Sequence, residues 1–357
     1  MVESNPKEQP LPLAPEARCP THGEVLQIEA AVAPSQAAVR GACGCIFAIH
    51  GGIPRFVADG GYASAFGLQW NAFRRTQLDS YSGTTISRER LTRCLGGSLA
   101  LLRGASVLEV GCGAGRFTEI VIEAGARVFA CDLSAAVEAN LANCGRPPGY
   151  FVCQADVMSL PVAPGAFDIV IALGMVQHTP SPEKTIAALA RAVRPGGLLV
   201  LDHYRALGPV TRLLNPFTPR TILRAMLLRL PPPLAFRITE AIVRALLPAH
   251  RLLWRRGPVV DRVRAVWRRT SPVFDYYDAF PELGEALADW ARLDTHDGLT
   301  DYYKHRRTPR EVARALTAVG LEVIDSRPGG NGVEARARRP PAGMSPGVER
   351  PESPPTS

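Results

Sequence analysis

Three glycines alternate through Gly111-Cys112-Gly113-Ala114-Gly115, immediately after the apolar run Val107-Leu108-Glu109-Val110. Lacking a Cβ, they let the backbone adopt left-handed torsions and approach a ligand to van der Waals distance, while the free N–H groups of a following helix point at it. Further along, Ala126-Arg127-Val128-Phe129-Ala130-Cys131 closes on Asp132, a carboxylate able to accept hydrogen bonds from ribose hydroxyls. The pair describes a seat for a nucleotide-like ligand. Proton transfer near neutral pH is imidazole chemistry, and three histidines are candidate bases: His178 after Gly174-Met175-Val176-Gln177, His203 in Asp202-His203-Tyr204, and His296 between Asp294 and Asp297. Cys19, His22, Cys43 and Cys45 form a separate, compact set of sulfur and nitrogen ligands.

These residues need a framework. Residues 107–110 read as a buried strand turning into a helix at the glycines, 126–132 as a second strand, 151–156 as a third ending on Asp156, and 167–173 as a fourth, nearly all apolar. Arg194-Pro195-Gly196-Gly197 leads into a fifth, 198–202. Strands alternating with helices in this way predict an α/β protein with a parallel sheet. Open α/β sheets bind ligands outside the carboxyl ends of their strands, which is where Asp132, His178 and His203 fall.

Taken in order, these motifs make residues 106–204 resemble the core of class I S-adenosylmethionine-dependent methyltransferases. Glu109 through Gly115 corresponds to the family's glycine-rich first motif, Asp132 to its ribose-binding acid, Asp156 to its adenine-side acid, 168–173 to its fourth strand, and Arg194-Pro195-Gly196-Gly197 to the turn before strand five. The resemblance implies S-adenosylmethionine as cofactor. Glu109, Gly111, Cys112, Gly113 and Gly115 would then meet its methionine part, Asp132 the ribose, and Asp156 with Val157 the adenine edge, with Leu133 and Leu173 completing the set. It also implies a doubly wound, seven-stranded, mostly parallel sheet. The helix opened by Thr308-Pro309-Arg310-Glu311, strand 321–324 and a final antiparallel strand 333–338 would complete it. Methyl transfer asks the protein to align a nucleophile with an already activated S–CH₃ bond, exclude water and, for an oxygen nucleophile, remove a proton.

Outside the core, four N/S ligands at Cys19-Pro20-Thr21-His22 and Cys43-Gly44-Cys45 suit tetrahedral zinc, the alternative being free thiols on a small β-rich flap. The segment resembles the ribbon that precedes the core in some bacterial methyltransferases, where such a metal would be structural. Cys112, Cys131 and Cys153 fall in or beside core strands and read as small hydrophobes. Residues 66–81, rich in aromatics, read as partly helical, and the resemblance implies a pre-core helix closing over the cofactor. Trp70 and Phe73 are assigned to packing, and Tyr81 and Arg75 to the sulfonium pocket.

From 203 to 270 the chain carries fourteen arginines, no lysine, and only Glu240 and Asp261 as acids, within an overall net charge of +8. Arginines interleave with leucine and isoleucine, predicting short amphipathic helices broken by Pro231-Pro232-Pro233 and Pro248. Such an insertion after strand five would cap the substrate side of the cleft or lie on an anionic membrane surface; solvated arginines on a lid or dimer face are the alternative. No recognition motif for nucleic acid accompanies the charge. Residues 293–306, with His296, Tyr302, Tyr303 and His305, read as a polar functional loop.

The resulting plan is a disordered start (1–15), a zinc-ribbon-like segment (16–60), a helical lid (61–104), the methyltransferase core (105–204 and 306–339), a helical insertion (205–305) and a disordered tail (340–357). No run of about eighteen uncharged apolar residues predicts a membrane span, and the first twenty residues hold no apolar signal core, so a cytoplasmic protein is expected. The expected acceptor is a small or lipid-like molecule methylated at oxygen. Two other readings stand beside it. A nicotinamide-dependent oxidoreductase or epimerase needs the spacing G-x-G-x-x-G, and Arg116 occupies the third glycine's place. A basic RNA- or DNA-binding module would show steep salt dependence. The oligomeric state is not legible.

Overall fold

The computed structural model describes residues 9–29, 37–254 and 258–343. Its N-terminal ribbon is an antiparallel sheet of β1 (Leu26–Glu29), β2 (Ala38–Gly41), β3 (Ile46–His50) and β4 (Ile53–Pro54) in sequential order. Of the ends expected to be disordered, residues 1–8 and 344–357 lie outside the described residues. Residues 9–15 depart from that expectation: Leu11 is fully buried and its N–H donates to the Gly52 carbonyl at 3.1 Å. The ribbon supplies an apolar seat that composition could not reveal.

After α1 (Ser64–Ala72), α2 (Asp79–Ser82) and α3 (Ile86–Cys94), the core alternates β5 (Ser106–Val110), α4 (Thr118–Glu123), β6 (Arg127–Asp132), α5 (Ala136–Cys144), β7 (Tyr150–Gln154), β8 (Phe167–Ala172), α6 (Pro182–Ala192) and β9 (Val193–His203). All five residues of β5 and of β7 are buried, as strands of a parallel sheet covered on both faces must be. The insertion holds α7 (Pro209–Leu214), α8 (Pro219–Leu227), α9 (Pro232–Leu253), α10 (Pro258–Thr270) and α11 (Leu287–Thr300); α12 (Pro309–Ala318), β10 (Glu322–Gly329) and β11 (Gly332–Arg338) close the fold. Thr308 and Glu311 form a reciprocal capping box at the start of α12, fixing its entry as the sequence predicts.

The seven strands run β10-β11-β9-β8-β5-β6-β7, with β11 antiparallel to both neighbours and the remaining pairs parallel. This is the expected α/β doubly wound sheet. Its order reverses at β5, flanked by β6 and β8, and that switch point opens the crevice where ligands bind in such folds.

Two expectations for the insertion fail. Pro248 lies inside α9 and does not end it; Val243 and His250, on either side, are buried, and their packing outweighs one lost backbone hydrogen bond. Residues 293–300, read as loop, continue α11, because Leu293 and Leu299 are buried, the latter against Leu227 of α8 and Ala235 of α9. Polar composition masked a helix with polar groups on a buried face.

Candidate active site

A cavity of about 770 Å³ fills the crevice, lined by the β5–α4 turn, the ends of β6 and β8, α1 and α11. Gly111 has φ +73°, and a Cβ there would lie 2.5 Å from Cβ of Met175; Gly113 has φ +49°, and its Cβ would meet the Trp70 indole at 3.3 Å. Only glycine leaves this turn bare toward the cavity. The N–H groups are largely engaged already, those of Gly111 and Cys112 by the Cys131 carbonyl (2.8 and 3.1 Å), Gly115's by Cys112 O (3.0 Å) and Gly113's by Asp132 Oδ2 (3.0 Å). The turn therefore offers close approach more than free donors.

Asp132 ends β6 at the cavity wall. Its Oδ1 accepts from Ser134 N and Oγ (2.8 and 2.7 Å), and Oδ2 accepts from Gly113 N. A carboxylate has about four lone-pair sites, so one on Oδ2 is left for a ribose hydroxyl. Burial pushes its pKa up against those three bonds. Leu133, Val157, Cys112 and Leu173 line the same cavity. Asp156 does not. It caps the following turn, accepting from Met158 N at 2.9 Å. Glu109 and Gly115 also stand back from the cavity: Glu109 accepts from Thr118 Oγ1 at 2.7 Å, tying β5 to α4, and burial pushes its carboxyl up to about 8.

The lid residues are placed the other way round from the expectation. Trp70 and Phe66, one helical turn apart on α1, line the cavity with Tyr62. Tyr81 is 54% exposed and carries the Arg75 guanidinium 4.6 Å above its ring; neither lines the cavity, because the chain turns away after α1. Phe73 is buried beside Phe236, in the packing role assigned to it.

Of the three histidines only His178 lines the cavity. Its Nδ1 lies 3.2 Å from the Tyr303 carbonyl and 3.5 Å from Asp301 Oδ2, and burial brings its pKa down to about 4. It is neutral at physiological pH and a weak proton acceptor. His203 is fully buried with Nδ1 3.0 Å from Tyr204 O, and burial lowers its pKa too. His296 points from α11 toward α9, with Nδ1 2.8 Å from Thr239 Oγ1 and its ring against Phe236. Helical geometry separates it from its sequence neighbours: Asp294 and Asp297 line the cavity, and His296 does not.

The sequence reading missed the polar floor that faces the glycine turn. Asp294 accepts from the Tyr276 hydroxyl and from Gln77 Nε2 (3.3 Å). Gln77 Oε1 in turn accepts from Arg116 Nη1 at 2.9 Å, and Arg116 Nε donates to Ser87 Oγ at 2.9 Å. Arg116 has no carboxylate within ion-pair distance among the described residues, and its guanidinium rests over Trp290 and Phe117; burial brings its pKa down to about 10. The Asp297 carboxyl receives no hydrogen bond among the described residues and its Oδ1 is buried; burial, then Asp301 and Asp294, push its pKa well up. The spacing of Asp294 and Asp297 is the one signal that would have found this face, since i and i+3 share a side of a helix.

Asp202, at the end of β9, joins four segments around the cavity. It receives a bond from Gly174 N (2.6 Å), the Arg90 guanidinium from α3 and Asn331 Nδ2 (3.3 Å) from the β10–β11 turn. In the ribbon, the ligand atoms of Cys19, His22, Cys43 and Cys45 all lie within 4.8 Å of one another, with His22 Nδ1 3.8 Å from Cys19 Sγ and 3.4 Å from Cys45 Sγ. Tetrahedral zinc with Zn–S near 2.3 Å and Zn–N near 2.0 Å needs N···S separations of about 3.5 Å. The four residues fit that ion.

A family profile described as a methyltransferase domain matches residues 108–201. Over these residues the chain is similar to methyltransferase domains. Among curated relatives, the ubiquinone biosynthesis O-methyltransferase of Aromatoleum aromaticum is 39% identical over 100 residues, 27% of this chain and 42% of that protein. The enzyme of the same name from Thiobacillus denitrificans is 37% identical over 102 residues, 28% and 44%. The chain thus spans less than half the length of the curated relatives it matches. A solved magnesium protoporphyrin IX methyltransferase from Synechocystis superposes with TM-score 0.43 at 14% identity, over 78% of this chain and 97% of that one, a likeness too loose to add to the sheet order itself. S-adenosylmethionine is the methyl donor of the class I family. The matched residues include the glycine turn and Asp132 described above, and the insertion that lines the other side of the cavity lies outside the match.

Proposed function

We propose that this protein transfers a methyl group from S-adenosylmethionine to a hydroxyl oxygen of a small or lipid-like acceptor. The observation carrying the proposal is one cavity that joins the bare Gly111–Gly113 turn and Asp132 to an aromatic, acid-bearing acceptor side. The name shared by the curated relatives supports oxygen as the acceptor atom. When bound, the donor supplies a sulfonium-activated methyl group.

The chain's own residues bind, orient and exclude water. Asp132 holds a ribose hydroxyl through its remaining lone pair, with Leu133 and Val157 beside it. Trp70, Phe66 and Tyr62 present ring faces suited to a positive sulfur. On the acceptor side Phe274, Tyr276, Phe280 and Trp290 wall off water, and Arg116, edge free, favours an acceptor with a negative or strongly polar substituent. Asp297 takes the proton that the hydroxyl loses on methylation: its carboxyl is unpartnered, and its raised pKa narrows the gap to a hydroxyl. His178, neutral and fixed by Tyr303, positions the acceptor's polar edge. His203 and His296 act through packing.

Zinc in the ribbon would be structural, because all four of its positions are filled by protein ligands. Eight free cysteines support a reducing, cytoplasmic setting. Among the described residues no helix is long and apolar enough to cross a membrane.

Titration calorimetry on the full chain tests the assignment. Saturable heat with S-adenosylhomocysteine and none with NADH is the expected result; heat with NADH and none with S-adenosylhomocysteine overturns it in favour of an oxidoreductase.

A further inference from the structure

The helix α7 buries none of its six residues. Val210 and Leu213 are 72% and 73% exposed, Leu214 is 57% exposed, and Phe217, in the turn that follows, is 76% exposed. A helix this short gains too little from its own hydrogen bonds to persist in water without tertiary packing. The next helix, α8, is apolar on two sides. Leu223 and Leu227 pack inward with Ala235 and Leu299, while Ile222 and Met226 face outward at 52% and 60% exposure. The apolar stripe of α8 is thus wider than the part its neighbours cover. Six large apolar side chains within seventeen residues therefore stand outside the core, forming a patch of a kind monomers rarely leave uncovered.

The charge around them selects the occupant. No aspartate or glutamate occurs between Arg205 and Thr239. Arg220 and Arg224 are taken up internally, the first by the Ser271 and Val273 carbonyls and the second by Asp301. Arg205, Arg212, Arg229 and Arg237 are exposed and have no carboxylate within ion-pair distance among the described residues. A second copy docked symmetrically on this face would set arginines against arginines. Nucleic acid would match the charge but leave aliphatic side chains such as Val210, Leu213 and Met226 facing phosphates, where single strands call for stacking aromatics. An anionic lipid surface satisfies both components, with apolar side chains entering the acyl boundary and arginines reaching headgroup phosphates. We infer that α7, the turn through Phe217 and the outer side of α8 form an interfacial anchor that holds this protein on anionic membranes without crossing them.

Vesicle sedimentation of the full chain tests the anchor independently of any methyl acceptor. The protein is expected to sediment with phosphatidylcholine–phosphatidylglycerol vesicles, far less with phosphatidylcholine alone, and progressively less as salt is raised. The combined variant Val210→Ser, Leu213→Ser and Phe217→Ser should lose about tenfold or more of that binding while binding S-adenosylhomocysteine like the parent. Parent protein that binds S-adenosylhomocysteine but stays in the supernatant overturns the anchor and leaves the proposed function standing. So does a serine variant that still sediments. Two further results also overturn it: a parent dimer that the serine variant dissolves without either binding lipid, and retention on RNA in place of vesicles.

Discussion

Replacing Asp132 by asparagine tests the cofactor seat at a single atom. The carboxylate uses Oδ1 for both Ser134 donors and Oδ2 for Gly113 N, so both of its sides face hydrogen-bond donors. An amide can satisfy only one. With its oxygen toward Ser134, its NH₂ opposes the Gly113 N–H and meets a ribose hydroxyl as a donor instead of a charged acceptor. A hydrogen bond to a charged group contributes about 1.5–3 kcal/mol, so the dissociation constant for S-adenosylhomocysteine should rise about 10- to 150-fold. Calorimetry gives the constant, and a thermal melt on the same sample separates lost affinity from lost fold. Affinity within about twofold of the parent, in a protein that melts normally, would remove Asp132 from the site and with it the reading of β6.

Three further outcomes are expected. Glu109 is held up at about 8 in the fold against an ordinary 4.5, so between those values the unfolded chain ionises while the folded one does not, and stability falls as pH rises. An uncharged amide at this position would keep the Thr118 bond without that loss, so Glu109→Gln should match the parent near pH 4.5 and gain roughly 2–4 kcal/mol by pH 8; paired melts showing a pH-independent difference would contradict it. Asp297→Asn should slow turnover about 10²- to 10⁴-fold and flatten the rise of rate with pH while S-adenosylhomocysteine binds as before; an unchanged pH profile excludes Asp297 as the proton acceptor. Elemental analysis should find about one zinc per chain, lost in Cys43→Ser along with thermal stability. Metal-free protein that melts like the parent would return the ribbon's cysteines to free thiols.

The core was legible because its signals are local. A parallel strand covered on both faces must be apolar along its length, and a turn that a ligand approaches must lack side chains; both conditions are written into residues 107–115 and 126–132. What failed was whatever depended on a partner distant in sequence. Trp70 and Tyr81 are both aromatic and both precede the core, and only the bend after α1 turns one inward and the other out. Polar composition around Asp294 suggested a loop, yet Tyr276, Gln77 and Arg116 supply the partners that let those polar groups sit on a packed helix. The histidines misled for a related reason: burial drops His178 and His296 to about 4, and no local sequence feature reports that burial.

Asp202 carries a consequence for how the proposed cofactor would be loaded. One carboxylate clasps α3, the segment after β8 and the hairpin of β10 and β11, so these parts cannot separate without stranding a buried charge, at a cost of about 3–5 kcal/mol. That rim is a fixed hinge-plate. Under the proposed function, breathing that admits a fresh donor and discharges the spent one would then be borne by the opposite wall, lined by Phe274, Tyr276, Phe280 and Trp290, the last on α11, which packs on α8 and α9. If α7 and α8 rest on a bilayer, the wall that must move is coupled through α11 to the anchored surface, and turnover should be paced by the state of the lipid beneath the protein.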